Sequence, residues 1–524
     1  MLETDWNSFM ASIKRRGWVK TVSVTPPSLT DNTADVDRLT SALKAQLDLD
    51  SLCIEIKLSL LKKIPSLLRK WNYNVRCILF KDNNKWDLIS ITGPQDNISI
   101  CGLAIDIGTT RVSLRVIDLL TNRNLAEKSF DNPQLSVGPD ILTRIHYADQ
   151  DVGLEKLNKL IVKGINKMIK SVCESIKIYP GQIYILAIAG NTTMTHLLLG
   201  LDPHWIIREP YIPVINRTVF VEAKEIGIMV NSSAKALVFP NVGSYFGGDL
   251  IAGILFSGLH KLDDTAILVD VGTNAEVVLG NNKWLIACAG AAGPALEGGV
   301  TKKGMMANPG VIDKVLIEPN TDKIILHTID NLPPIGICGS GLIDLAANLF
   351  LSGMIDIRGK LKPSSCKGRL KKRDGINHFV LVPSNGSIPE LTISQVDLDS
   401  LIRSKAAMYT ILETITSFVG MPLRELPLFF VAGSFGSFIN PKSAISIGML
   451  PDLPIETYRS LGNTSLGGAT IALTSEESID EINKIRDSIT YLELNVNQEF
   501  MNKFSAAKFL PHTDFSQFPS VRQP

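Results

Sequence analysis

Charge of one sign, paired cysteines, metal-spaced histidines and long apolar runs are all missing from this 524-residue chain. Lys+Arg number 53 against Asp+Glu 52, so nothing in the net charge calls for DNA, RNA or an acidic membrane as partner. The seven cysteines (Cys53, Cys77, Cys101, Cys173, Cys288, Cys338 and Cys366) include no C-x-x-C pair and no ferredoxin-like spacing. Structural disulfides and a bound iron-sulfur cluster are therefore disfavoured. The seven histidines show neither H-x-x-x-H nor H-E-x-x-H, which speaks against a zinc site. The first twenty residues carry Glu3, Asp5, Lys14, Arg15 and Arg16 without an apolar core, and no apolar run approaches the ~18 residues a membrane helix needs. The phosphate-binding signature G-x-x-x-x-G-K-S/T is absent as well, which removes the P-loop NTPases. What remains is an expected cytoplasmic protein with no nucleic-acid or membrane partner.

Single hydrophobic cores stop growing near ~250 to 300 residues, so this length predicts about three units. Residues 1–98 read as a small α/β unit: a strand from Val19, ended by Pro26-Pro27, then a helix through Leu39, Leu43 and Leu47 with Asp31 and Asn32 as candidate caps. Alternation at 54–60 predicts a second strand, Ile64-Pro65 opens a short helix, and the turn at 81–85 joins two strands as a hairpin. Packing duties alone would explain this unit. From Cys101 the texture changes. Leu103-Ala104-Ile105-Asp106-Ile107-Gly108-Thr109-Thr110 is an apolar strand breaking at a polar tip, and a second strand follows from Val112. The same pattern returns at Ile267-Leu268-Val269-Asp270-Val271-Gly272-Thr273-Asn274. A repeat this far apart indicates two similar domains in tandem, 99–260 and 261–462, with 463–524 as a returning helix and C-terminal segment. Helical stretches at 154–176, 194–201, 341–350 and 400–418 between the strands make both domains α/β.

Each Asp-x-Gly-Thr tip suits phosphate binding. Glycine places no Cβ between backbone and ligand, so neighbouring N–H groups can face phosphate oxygens, and the threonine hydroxyls add donors. An aspartate at the strand end can hold Mg²⁺ through water or orient an attacking water. One such tip is most often a plain strand-ending turn, whereas two with near-identical flanks form a pair able to grip a triphosphate from both sides. Leu428-Phe429-Phe430-Val431-Ala432-Gly433-Ser434-Phe435-Gly436 is a buried strand running into a glycine turn, where backbone can approach an adenosine. Gly339, Ser340 and Gly341, ahead of a helix from Leu342, read equally as a second close wall and as ordinary strand-to-helix punctuation. Two glycine-bearing helices, at 246–253 and 465–472, carry the small residues that let helices cross closely. His196 on the helix after Asn191-Thr192-Thr193 reads as core packing, Cys338 as an unreactive thiol, and the run 367–373 as a solvated loop.

The order of phosphate hairpin, crossing helix, phosphate hairpin, adenosine strand and crossing helix resembles the actin, sugar kinase and heat-shock chaperone superfamily. Its fold is a two-lobed α/β ATPase of duplicated ribonuclease-H-like lobes, and there the two helices form the hinge. Closer motifs are Asn132-Pro133-Gln134, the run from Gly138-Pro139-Asp140 to Arg144-Ile145, Gly190-Asn191-Thr192-Thr193-Met194-Thr195-His196, the run from Ala289 to Gly298, and Gly336-Ile337-Cys338-Gly339-Ser340-Gly341. Together they resemble the reductive activators of corrinoid proteins, which use ATP to help return an oxidised Co(II) corrinoid to Co(I) in methyltransferase systems. The resemblance runs from about Val19 to Pro511 and makes the N-terminal unit that family's middle domain. It implies Asp106, Gly108, Thr109 and Thr110 as the first phosphate loop, Asp270, Gly272 and Thr273 with Asn274 as the second, and Gly433, Ser434 and Gly436 as the adenosine turn, with Asp106 and Asp270 at Mg²⁺ and catalysis. That family usually carries a ferredoxin domain, for which this chain has no cysteine set. Electrons are then expected from a missing domain or from a separate donor of ferredoxin or flavoprotein type. The expected cofactors are ATP and Mg²⁺, and the expected partner is a corrinoid protein; a homodimer is among the states allowed. A small-molecule kinase and a nucleotide-switched scaffold are the competing readings.

Overall fold

The computed structural model describes residues 17–47, 53–82, 85–96, 98–272, 275–290, 303–305, 307–318, 323–366, 368–385, 389–433, 439–494 and 498–522. The chain forms two compact units: residues 1–256 with 464–488, and residues 257–463 with 489–524.

In the first unit, six strands lie in the order Asn124–Asp131, Arg111–Asp118, Cys101–Ile107, Ile183–Gly190, Lys235–Val238 and Val219–Glu222. The strand Cys101–Ile107 pairs antiparallel with Arg111–Asp118 on one side and parallel with Ile183–Gly190 on the other. Its side chains alternate between two faces, as the period of a strand requires. Leu103, Ile105 and Ile107 join a core with Leu157, Ile161, Ile165 and Ile169, the buried stripe of the helix Gly153–Ser175. The opposite face offers Gly102, Ala104 and Asp106, and there the helix Thr464–Thr474 packs. A Cβ on Gly102 would come within 3.3 Å of Leu473, so small residues on this face set how close the helix lies. The same helix crosses Gly248–Ser257, where a Cβ on Gly468 would run into the Ala252 carbonyl and one on Gly467 into the Phe256 ring. Close crossing is why these glycines are glycines.

Before that sheet, a four-stranded sheet in the order Val19–Ser23, Asn74–Asp82, Lys85–Thr92, Ile54–Ile56 carries its own core of Leu39, Leu43, Ile64, Leu68 and Val75. Two local expectations need correction here. The helix begins at Asp35 rather than after Asp31, whose carboxylate instead accepts from the Thr33 N–H at 3.1 Å and hydroxyl at 2.7 Å. The segment 54–60 is not one strand: it is the strand Ile54–Ile56 followed by the helix Leu58–Leu61. Leu60, Ile64 and Leu68 are buried at a spacing of four, and that helical stripe prevails over the short alternation.

The second unit repeats the sheet plan. Its strands run Tyr458–Gly462, Leu428–Ala432, Ala266–Val271, Ala275–Gly280, Leu285–Gly290 and Ile489–Tyr491. Again the first strand in sequence, Ala266–Val271, has an antiparallel hairpin partner on one side and a parallel strand on the other. The two sheets share five strands in the same order and directions, while the sixth lies on opposite edges, Val219–Glu222 in the first unit and Ile489–Tyr491 beside the hairpin strands in the second, and this is the duplicated α/β architecture expected. The helix Gln395–Phe418 starts at a capping box in which Ser394 and Asp397 satisfy each other's backbone N–H groups, and it packs on the hairpin strands. Two three-stranded sheets complete the unit. In one of them Leu370–Arg373 is a strand, not the loop expected at 367–373, and Lys371 and Arg373 both pair with Glu390. Lys367 lies outside the described residues.

Candidate functional site

The first hairpin turns at residues 108–110, where Gly108 N–H donates to the Arg111 carbonyl at 3.0 Å. A Cβ on Gly108 would lie 2.6 Å from that carbonyl, so the turn is this tight only with glycine. Every carbonyl of the tip is held from behind. Asn132 Nδ2 donates to Gly108 O at 2.9 Å, an Arg144 guanidinium nitrogen to Thr109 O at 2.7 Å, and Asn132 N–H to Thr110 O at 2.8 Å. Asn191 Nδ2 holds the Thr109 hydroxyl at 3.1 Å while its side-chain oxygen caps the helix Thr192–Leu199 through Met194 N–H. The motifs around Asn132, Arg144 and Asn191, scattered in sequence, therefore meet at one turn. With its carbonyls drawn back, a peptide turn is left to present N–H groups and hydroxyls, the arrangement an anion requires.

Asp106 stands at the end of its strand opposite Ser113, half-buried, and its carboxylate accepts from Ser465 Oγ at 2.7 Å. Ser465 belongs to the first turn of Thr464–Thr474, so the glycine-bearing helix reaches the carboxylate as well as the sheet. This contact was not legible in sequence, and neither were the roles of Asn132, Arg144 and Asn191. Their only signal was a set of polar residues bounded by glycines, prolines and helix caps.

At the second hairpin, Asp270 lies opposite Glu276 on one neighbour and Ala432 on the other. The strand Leu428–Ala432 ends at Gly433 with φ +84°, and a Cβ there would sit 2.7 Å from Asp270 Oδ1. The adenosine-turn glycine and the second aspartate are thus adjacent, and glycine is required twice over, by backbone conformation and by the carboxylate. Gly272 is half-buried beside them; Thr273, Asn274, Ser434 and Gly436 lie outside the described residues, as does the 291–298 part of the run from Ala289 to Gly298.

Gly339, Ser340 and Gly341 are buried in the first turn of the helix Gly339–Leu351, which starts earlier than expected. A Cβ on Gly341 would be 2.5 Å from the Ile312 carbonyl, and Ser340 Oγ donates to Asp313 O at 3.1 Å. Packing therefore accounts for the glycine at 341. His196 is fully buried; its Nδ1 lies 2.7 Å from Thr192 O, and Nε2 accepts from Val214 N–H at 3.0 Å. Burial pushes its pKa below the ordinary histidine value, so the ring is a neutral core group. Burial likewise pushes Cys77 and Cys101 up to about 12 and Cys173 up to about 11, which leaves these thiols protonated and inert. Among the described residues no group of three or more His, Cys, Asp or Glu is placed to hold a metal, and no helix is long and apolar enough to cross a membrane.

Comparison with known proteins places the chain. The C-terminal domain of RACo, the ASKHA domain, matches residues 264–522, the RACo middle region matches 101–262, and the RACo linker region matches 16–97. The N-terminal unit expected to be the family's middle domain thus matches its linker region. A corrinoid activation enzyme, RamQ, of Eubacterium limosum is 31% identical over 416 residues, covering 77% of this chain and 69% of that protein. A Co(II) methylated amine-specific corrinoid protein reductase of Methanosarcina barkeri is 23% identical over 432 residues, covering 76% and 75%. The solved structure of a reductive activator for corrinoid, iron-sulfur protein superposes with a TM-score of 0.87 at 38% identity, covering 97% of this chain and 82% of that one. With the duplicated ATPase sheets, the two hairpins and these matches along its length, the chain belongs to the family of reductive activators of corrinoid proteins.

Proposed function

We propose that this chain is an ATP-hydrolysing activator that helps return a Co(II) corrinoid protein to Co(I). The observation that carries the nucleotide part is the tip at 108–110, whose three carbonyls are all engaged from behind by Asn132 and Arg144. Thr109 and Thr110 would bind phosphate oxygens through N–H and hydroxyl donors, with Gly108, whose N–H is held by the Arg111 carbonyl, allowing the tight turn, and Gly272, Thr273 and Asn274 would form the second phosphate loop. Gly433, Ser434 and Gly436 would border the adenosine. Asp106 and Asp270, each near the end of its strand, would be the carboxylates offered to Mg²⁺, which takes one or two of them and keeps its waters. Bound there with ATP, the ion would neutralise charge on the phosphates. One of the two carboxylates orients the water that attacks the terminal phosphorus, the bridging bond to ADP breaks, and phosphate leaves. Packing at the Ile312 carbonyl explains Gly341, while Gly339 and Ser340 would form the second wall near the adenosine.

The partner reading is supported by family membership and by the relatives whose names state corrinoid activation or corrinoid protein reduction. One electron per cobalt would come from a low-potential donor, either a separate protein of ferredoxin or flavoprotein type or an iron-sulfur domain missing from this sequence. ATP can assist only if the corrinoid protein binds one nucleotide state of the activator better than another. By linkage the partner then shifts nucleotide affinity by the same factor, a coupling of about 1 to 3 kcal/mol. Calorimetric titration of a Co(II) corrinoid protein into the chain with ATP analogue, with ADP and without nucleotide tests this. Unequal affinities are expected; equal affinity in all three states would defeat it. Release of free phosphate rather than a phosphorylated metabolite separates the activator from a small-molecule kinase.

A further inference from the structure

Arg144 is fully buried, and its guanidinium is spread over four acceptors. Nε donates to Gly138 O at 2.9 Å, one terminal nitrogen lies 3.3 Å from Gln134 Oε1 and 3.2 Å from Met194 Sδ, and the other donates to Thr109 O at 2.7 Å. Among the described residues it makes no ion pair. The nearby Asp140 carboxylate is occupied as a helix cap, accepting from Thr143 N–H at 2.8 Å and Thr143 Oγ1 at 2.9 Å. Burying a guanidinium is costly; the nearby Asp140 charge offsets part of that cost, and neutral acceptors take its hydrogen bonds. One peptide lies between this guanidinium and the outer face of the turn: the Thr109 carbonyl it holds and the Thr110 N–H belong to the same amide.

We propose that Arg144 is a positioning residue for triphosphate binding, which aims and polarises the Thr110 N–H toward the phosphate by bonding the Thr109 carbonyl. This rests on the reading of residues 108–110 as a phosphate loop. A hydrogen bond to the carbonyl of an amide strengthens the donor at its other end, and the effect is largest from a charged donor in a dry site. Asn132 acts in the same sense one peptide earlier, with a neutral donor, through Gly108 O and the Thr109 N–H. Burial supports the assignment, since it holds the Arg144 pKa down at about 10 while leaving the group charged at neutral pH. Lysine cannot replace the planar fork, because three donors on one point cannot span four acceptors fixed in different directions.

Calorimetric titration with Mg-ATP and with adenosine, on the full chain and on Arg144→Lys, Arg144→Met and Met194→Leu, tests the assignment. Arg144→Met is expected to weaken ATP binding about 10- to 100-fold, the range of one charged hydrogen bond, with adenosine affinity unchanged. Arg144→Lys should fall between, and Met194→Leu, which removes a weak thioether acceptor shared by Arg144 and Asn132, should cost less than Arg144→Met. A folded Arg144→Lys protein that binds ATP like the wild type overturns the proposal, even if Arg144→Met does not fold. Equal loss of ATP and adenosine in a folded variant also overturns it, because that marks a structural role only. A wild-type chain that binds adenosine but gains nothing from the phosphates sinks the phosphate-loop reading itself.

Discussion

At the first hairpin the supports are side chains from distant parts of the chain, Asn132, Arg144, Asn191 and Ser465, each bonded to the turn or to Asp106. At the second, the close neighbour of Asp270 is backbone, the strand end at Gly433, which leaves no room for a Cβ. Two hairpins of nearly the same sequence, on sheets that share five strands in the same order, thus show different supports among the described residues. Both tips need their glycine, Gly108 against the Arg111 carbonyl and Gly433 against Asp270, and the first depends on side-chain donors as well. The pairing of unlike supports means the two aspartates should not respond alike to mutation.

The largest effect is expected from Asp270→Ala, which removes a carboxylate proposed to serve Mg²⁺ or the attacking water. Phosphate release should fall by about 100-fold or more while the melting temperature holds, and wild-type turnover in this variant would remove Asp270 from the mechanism. Asp106→Ala is measured beside it and not summed with it, since members of one site are non-additive. Gly433→Ala should follow. At φ +84° an alanine is strained by about 1 kcal/mol, and its Cβ would press on Asp270 Oδ1, so turnover should drop about tenfold with a small loss of stability. Full turnover in Gly433→Ala would show that the Asp270 carboxylate is free to shift, and the contrast between the hairpins would lose its basis.

The smallest effect on turnover belongs to Lys405→Met, in the second unit. Lys405 is fully buried on the helix Gln395–Phe418, and its Nζ donates to Phe509 O at 2.5 Å and Pro511 O at 2.6 Å, tying the C-terminal segment to the helix. Burial pushes its pKa well below the ordinary lysine value. The folded state then holds fewer protons than the unfolded chain between that lowered value and about 10.4, so stability rises with pH across this window. Lys405→Met should abolish that rise and leave two buried carbonyls without their donor, at about 1 to 3 kcal/mol each. Denaturant melts across pH check both statements, and ATP affinity is expected to stay near wild type at temperatures where the variant is folded.

Much of this arrangement can be read from the amino acids. The hairpins around Asp106 and Asp270 announce themselves by apolar strands that stop at Asp-x-Gly-Thr, and the close helix crossing by Gly467 and Gly468. His196 was legible as a core residue because it falls within an apolar helix. What sequence does not reveal is contact across long separations: Arg144 meets Thr109 over 35 positions, Asn191 meets Thr109 over 82, and Ser465 meets Asp106 over 359. No local period or propensity encodes such pairs, so a motif such as Gly138-Pro139-Asp140 with Arg144 could be noticed without its purpose. Two segments carry conflicting local signals. At 54–60 a short alternation competed with the buried stripe of Leu60, Ile64 and Leu68, and at 370–373 a basic run proved compatible with a strand once Glu390 neutralised two of its charges.

The central claim is that nucleotide turnover on these hairpins drives corrinoid reduction. Its most direct test follows Co(I) formation spectroscopically from a Co(II) corrinoid protein and an external low-potential donor, with ATP, with a non-hydrolysable analogue, and with the Asp270→Ala variant. Co(I) should accumulate with the wild-type chain and ATP, accompanied by free phosphate, and should fall to the background level of the donor alone in the other two cases. Equal Co(I) yield in all three would contradict the account.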